Sequence, residues 1–237
     1  MQPIDKKFIR LSPDELKRCE DFAVASARTQ QKIEFGQNTT AERSVDEIIR
    51  DTLIGKIAEV AFHKLMAFYG IAAPLDFDCY PRGKWDDQDA EINGWKIDIK
   101  GVREGGRWFL IEWSKLDFRQ KENKLSHLYI PFTVGWDRNT DRPRGWARYE
   151  GVISLKKLNS DNSSVSTLRK GELLPKTQTA LQADNYGILF ADLNDDLKDL
   201  VLVLSRYCPS AEMTDDFKNP YTKKTTKELH CGSKNKG

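Results

Sequence analysis

The chain is poor in the features that fix a protein's class before its fold is known. It holds four cysteines in 237 residues, Cys19, Cys79, Cys208 and Cys231, and no two stand in C-x-x-C spacing. That excludes the common structural zinc patterns and leaves reduced thiols as the expectation. No apolar run approaches the roughly 20 residues that span a bilayer, so no membrane partner is expected. The first residues, Met1-Gln2-Pro3-Ile4-Asp5-Lys6-Lys7, carry no apolar h-region, and a cytoplasmic rather than secreted protein is expected. Net charge is also scarce, at +2, which neither demands nor excludes nucleic acid because binding depends on how charge is distributed. What remains is the composition of an ordinary globular domain, 39% hydrophobic and 31% charged, without an internal repeat.

Two helices are marked by their starts. Ser12, Pro13 and Glu15 form a capping box with proline at N1, and Leu11 and Leu16 are spaced as a hydrophobic staple. This helix is expected to run to about Thr29. Ser44 and Glu47 open a second, expected over Val45 to about Tyr69 with Gly70 as its C′ residue. Ile48, Thr52, Gly55, Glu59, Phe62 and Met66 share one stripe of it. Glu59 is therefore a carboxylate in a line that should be apolar, and Gly55, one turn earlier, is expected to let another element approach. Lys56 reads first as a surface residue, with a salt bridge to Glu59 or a phosphate contact as the alternative; His63 reads as a hydrogen-bonded helix histidine, with a contact to the metal region or a phosphate as the alternative.

The next signal is Asp86-Asp87-Gln88-Asp89-Ala90-Glu91-Ile92-Asn93-Gly94-Trp95-Lys96-Ile97-Asp98-Ile99-Lys100. Asn-Gly favours a two-residue type I′ turn, which needs positive φ at both positions. Counting outward, Ile92 pairs with Trp95, Glu91 with Lys96, Ala90 with Ile97 and Asp89 with Asp98. Alternation then gives one apolar face and one face of Asp87, Asp89, Asp98 and Lys100. Like charges directly opposite repel, so a cation is expected between them. The acid-x-lysine pattern itself is uninformative, since it starts at Asp5, Glu15, Asp98, Glu122, Asp196 and Asp216. The copy at Asp98 differs in lying on an expected strand, Trp95 to Val102. Asp87 rivals Asp89, because a change of turn register exchanges them.

A hairpin face carrying these acids, brought against the Glu59 stripe, would make a hard oxygen site suited to Mg²⁺. Without a metal, at least one acid is expected to have a raised pKa. Such a site fits phosphodiester hydrolysis, with Lys100 placed for the attacking water or the transition state.

Helix-borne Glu59, then Asp89, then Asp98-Ile99-Lys100 after the turn resembles the active site of the PD-(D/E)XK nuclease superfamily. Ile54-Gly55-Lys56-Ile57-Ala58-Glu59 is similar to its first-helix pattern, and Gln88 stands where the motif name has proline. The resemblance covers about residues 44–136. It implies an α/β (α+β) restriction-endonuclease-like core, a central mixed β-sheet flanked by helices, here with additional C-terminal β elements. It further implies Glu59, Asp89 and Asp98 as metal ligands, Lys100 as the catalytic lysine, Mg²⁺ with Mn²⁺ able to substitute, and double-stranded DNA as substrate. The expected setting is a type II restriction endonuclease acting as a homodimer. The alternatives are a structure-specific repair or recombination nuclease and a catalytically silent binding module. Members with an iron–sulfur cluster use one early and three late cysteines, a pattern this chain lacks.

The expected organisation is one nuclease domain over 1–216, with a catalytic core at 44–136, recognition elements at 137–216, and a basic tail at 217–237 holding six lysines against one glutamate. Arg103 and Arg107 bracket a glycine turn, and Arg138, Arg142 and Arg144 crowd an expected loop; these five are the candidate DNA contacts. Glu112 and Ser114 are candidates for supporting the site. Strands are also expected near Leu75–Tyr80, Trp108–Trp113, Leu128–Trp136, Ala147–Leu155, Tyr186–Ala191 and Asp199–Leu204.

Overall fold

The structure is a computed structural model that describes residues 7–30, 44–80, 89–116, 125–160, 163–209 and 224–225. Asp86, Asp87, Gln88 and Cys231, and all of the basic tail but two residues, lie outside these. Both helix starts take the expected form. In α1 (Pro13–Gln30) the Ser12 N–H donates to Glu15 Oε2 at 2.6 Å, and the Glu15 N–H donates to Ser12 Oγ at 3.2 Å. In α2 (Val45–Phe68) Ser44 and Glu47 exchange the same two bonds, at 2.8 and 3.2 Å. Gly70 ends the helix with φ of 72°, the left-handed conformation a C′ glycine accepts at little cost. α2 is buried on most sides, with Ile57, Ala58, Ala61, Phe62 and Met66 all sealed from solvent.

The chain is a mixed α+β protein whose main sheet is flanked by these helices. Its strands are β1 (Phe8–Arg10), β2 (Ala90–Ile92), β3 (Trp95–Arg103), β5 (Leu128–Asp137), β6 (Arg142–Tyr149) and β7 (Ile153–Ser154). They are ordered β1-β6-β5-β3-β2, with β7 also on β5. β3 and β5 are parallel, and the other pairs are antiparallel. Between them the chain passes through β4 (Trp108–Glu112) and α3 (Trp113–Leu116), since parallel neighbours need a long crossover. β4 joins a second sheet with β8 (Val165–Leu168), β9 (Asn185–Leu189) and β10 (Lys224–Thr225), ordered β10-β8-β9-β4. α4 (Leu155–Asn159), a 3₁₀ turn (Phe190–Asp192) and α5 (Leu197–Leu204) complete the described elements.

The main core lies between α2 and one face of the sheet: Trp95, Ile97 and Ile99 of β3, Ile130, Phe132 and Val134 of β5, and Ala147 of β6. α2 comes closest at Gly101. A Cβ there would stand 2.3 Å from the Ile54 carbonyl oxygen, so only glycine permits this approach. The expectation for Gly55 is corrected, because a Cβ on Gly55 meets nothing within 4 Å. The glycine that matters for helix–sheet contact sits on the strand.

Three other expectations are corrected. Leu75–Tyr80 forms no strand. Arg142 and Arg144 stand on β6 rather than in a loop; their segment extends because Pro143 and Arg142 pair with Trp136 and Asp137. Asp199–Leu204 belongs to a helix, since Leu197, Leu200 and Leu204 fall at helical spacing on its buried side and the Asp196 carboxylate caps it at 2.8 Å from the Lys198 nitrogen. A run of β-branched and leucine residues is ambiguous over so few positions, and the cap decides it.

Candidate active site

The hairpin forms in the register that its turn dictates. Asn93 and Gly94 have φ of 50° and 80°, and the pairs are Ile92 with Trp95, Glu91 with Lys96, and Ala90 with Ile97. The turn docks on the end of α5, where Asn93 Nδ2 donates to the Leu204 carbonyl at 2.8 Å and Trp95 Nε1 to that of Arg206 at 3.0 Å. β2 begins at Ala90, so Asp89 lies outside it and does not pair with Asp98. Instead Asp89 turns inward, and its Oδ2 accepts the Ile99 N–H at 2.5 Å, in place of a strand carbonyl.

Alternation along β3 sends Ile97, Ile99 and Gly101 to the α2 side, and Asp98 and Lys100 to the other. The hairpin's apolar face therefore meets α2, which corrects the expectation that its acidic face would. Glu59 reaches the same locality along the helix. α2 passes over the sheet from Arg50, which pairs with Asp141 at 3.1 Å, past Ile54 at Gly101, to Glu59 at the level of Asp89 and Lys100.

Lys100 is the centre of the cluster. Its Nζ lies 2.6 Å from Asp98 Oδ1. Burial works against the ammonium, but Asp98, Asp89 and Glu59 outweigh it and raise its pKa above the ordinary lysine value. The buried Asp98 carboxylate oxygen and the ammonium form a close ion pair. Tyr129, opposite Asp98 on β5, has its phenol pKa raised by burial and by that carboxylate.

Burial pushes the Glu59 carboxyl up to about 7, against the pull of Lys56; the Asp89 charge adds to the push and Lys100 opposes it. This is the raised acid expected of a cation-free carboxylate cluster. The consequence for stability has a definite sign. The folded chain holds the Glu59 proton over a range where the unfolded chain has released it. Stability is therefore greatest below about 4.5, the ordinary glutamate value, and falls as pH rises through about 7. The effect is at most about 3 kcal/mol. Urea unfolding in EDTA at pH 5 and 7.5 is expected to show this loss in the wild type relative to Glu59→Gln. Equal pH slopes in the two chains would count against it.

Among the described residues, no three His, Cys, Asp or Glu side chains form a ready-made metal cage. The donor set nonetheless has the chemistry of a hard-cation site. It offers carboxylate oxygens, the ligands such cations take, from α2, from Asp89 and from β3, all acting on the Lys100 ammonium.

The candidate DNA contacts fall elsewhere. Arg103 is three residues beyond Lys100, or about 10 Å at strand rise. Arg138 and Arg144 lie at the same end of the sheet, where Arg138 touches Gly105 and, with Glu104, Trp136 and Asn139, they line a cleft of about 280 Å³. Arg144 pairs with Glu104 at 3.5 Å, and Arg142 with Glu20 at 3.7 Å. Arg107 leads into β4, its carbonyl accepting the Phe190 N–H. Glu112 is on β4, paired with Asn185 in the second sheet, so it does not neighbour β3. His63 bonds the Ala73 carbonyl at 2.7 Å, a structural role.

Lys56 is the residue that sequence reasoning misplaced. It is 6% exposed, not a surface lysine, and it pairs with Glu59. The pairing was legible, since Lys56 precedes Glu59 by three residues on the helix, but the burial was not. Cys19 is buried beside this pair, and burial pushes its thiol up to about 12.

Compared with family models, with curated proteins and with solved structures, the chain matches none.

Proposed function

We propose that the chain is a Mg²⁺-dependent endodeoxyribonuclease with a restriction-endonuclease-like core, and that Glu59, Asp89 and Asp98 hold the cation. The observation that carries this reading is that carboxylates of α2, of the residue before β2 and of β3 all act on the Lys100 ammonium, with Asp98 Oδ1 paired to its Nζ at 2.6 Å. The Glu59 and Asp89 charges repel each other, and a divalent cation between them would relieve that repulsion.

A divalent cation in this place would neutralise charge on a phosphodiester and acidify water. Asp98 and Asp89 would supply oxygens from a strand and its neighbour, both fixed by backbone bonds. Glu59 would add a third from the helix once it gives up its proton. Lys100 would exchange its contact with Asp98 for the phosphate or the attacking water, on the strand that also fixes Asp98. Arg103 and the arginines of the β5–β6 end, about 10 Å or more along the sheet, would hold neighbouring phosphates of double-stranded DNA. Arg107 is assigned the same role. Residues 137–216 would supply recognition, and a homodimer would place one site on each strand, as in a type II restriction enzyme.

Plasmid DNA incubated with Mg²⁺ or EDTA tests the reading. Discrete Mg²⁺-dependent fragments are expected, lost in both Asp98→Ala and Lys100→Ala by at least about a hundredfold in rate. Selective cutting of branched DNA would move the assignment to a repair or recombination nuclease. Binding without cleavage under Mg²⁺ and Mn²⁺ would replace the enzyme by a binding module.

A further inference from the structure

Lys56 is a buried cation fixed from three directions. Its Nζ donates to the Asp76 carbonyl at 2.8 Å and pairs with Glu59 Oε2. It also lies over the ring of Phe22 at 4.3 Å and that of Phe77 at 5.5 Å. Phe22 and Phe77 meet edge to face at 5.9 Å, and the guanidinium of Arg18 covers Phe77 at 3.9 Å. α1, α2 and the segment 71–80 are thus joined around one ammonium. The irregular segment is itself braced, with the Asp78 N–H and the Tyr80 hydroxyl both donating to Asp76, at 2.7 and 2.5 Å. A lysine held this way has little freedom to follow Glu59, so Glu59 must follow the lysine.

We propose that Lys56 is the positioning residue for Glu59: it ties down Oε2 and presents Oε1 to the cation site shared with Asp89 and Asp98. This rests on the nuclease reading above, because it assigns Lys56 a part in loading the same site. A plain neutralising partner would need neither the carbonyl of Asp76 nor two aromatic faces, since a solvated ammonium pairs with a helix neighbour without them. Aromatic faces and a backbone acceptor fix the position of a charge. Partners that orient a metal ligand from behind are worth about 10- to 100-fold in metal affinity.

The test is a double-mutant cycle read by Mn²⁺ affinity from water-proton relaxation, in the full-length wild type, Lys56→Met, Glu59→Gln and the double variant. Lys56→Met is expected to weaken Mn²⁺ binding at least about tenfold. In the Glu59→Gln chain the same change is expected to do nothing more, because its effect runs through the carboxylate. If Lys56→Met does not fold, Phe77→Leu loosens the ammonium without removing it. That variant should weaken Mn²⁺ binding in the Glu59 chain and not in Glu59→Gln. Unchanged affinity in a folded Lys56→Met, or equal losses in both backgrounds, would overturn the positioning role while leaving the nuclease reading intact. A wild type that neither binds Mn²⁺ nor cuts DNA would overturn both.

Discussion

Replacing Lys100 with methionine is expected to lower DNA cleavage by at least about a hundredfold while tightening Mg²⁺ binding. The two effects have opposite signs because Lys100 stands in two relations to the acids. Its ammonium pairs with Asp98 and feels the charges of Asp89 and Glu59, so it would compete with a divalent cation for those carboxylates. Removing the charge removes the competitor. It also removes the positive charge that offsets the Asp98, Asp89 and Glu59 carboxylates, which strengthens the demand for a cation. The same ammonium would be needed beside the phosphate, and its loss there is a loss of transition-state stabilisation. Melting temperature should record both sides. Without Mg²⁺ the variant is expected to melt below wild type, and on adding Mg²⁺ it should gain more, since a ligand that binds the folded state stabilises it in proportion to its affinity. A variant that loses both cleavage and Mg²⁺ affinity would show that Lys100 organises the site and does not compete within it.

The largest effect on stability is expected at Gly101. Its missing Cβ leaves room for the Ile54 carbonyl, and an alanine would place a carbon 2.3 Å from that oxygen and 2.7 Å from its carbon. Both atoms are helix backbone, which cannot turn aside as a side chain does. Either α2 lifts from β3 or the strand bends. A cost of about 3 kcal/mol is expected for Gly101→Ala, or roughly 6–12 °C in melting temperature for a chain of this size. Gly55→Ala is the control. It lies in the interior of α2 with open space at its Cβ, so alanine should add about 0.5–1 kcal/mol. Differential scanning calorimetry of the two variants should move in opposite directions. Lifting α2 also withdraws Glu59, so any Gly101→Ala that folds should need more Mg²⁺ than wild type.

The two glycines show what the sequence makes legible and what it hides. Caps and turns are written locally: Ser44 with Glu47, or Asn93 with Gly94, specify their own geometry, and both formed as expected. The spacing of Glu59 among apolar neighbours was equally readable, as was the alternation that groups Asp98 with Lys100. Which glycine admits the helix depends on how two distant elements cross, and nothing near Gly55 or Gly101 in the chain encodes that crossing. Lys56 was hidden for a related reason. Its burial comes from Phe22 on α1 and Phe77 in an irregular segment, more than 20 residues away on either side. The placement of Asp89 lay between these cases. Counted outward from the turn, the register was right as far as Ala90; Asp89, the next residue outward, precedes the strand, and its carboxylate takes the Ile99 N–H that a strand carbonyl would have held. The second sheet was the least legible part. β8 follows a polar stretch, and α5 was disguised as a strand by its leucines and valines.

Everything proposed for function rests on the three carboxylates acting on one cation. The most direct measurement is Mn²⁺ binding to the purified chain by water-proton relaxation, with Mg²⁺ as competitor, in wild type and in Asp98→Asn. The expected result is a Mg²⁺-displaceable Mn²⁺ site in wild type, weakened at least about tenfold in Asp98→Asn. A wild type that binds no Mn²⁺, or an Asp98→Asn chain that binds it as tightly as wild type, would contradict the proposed site.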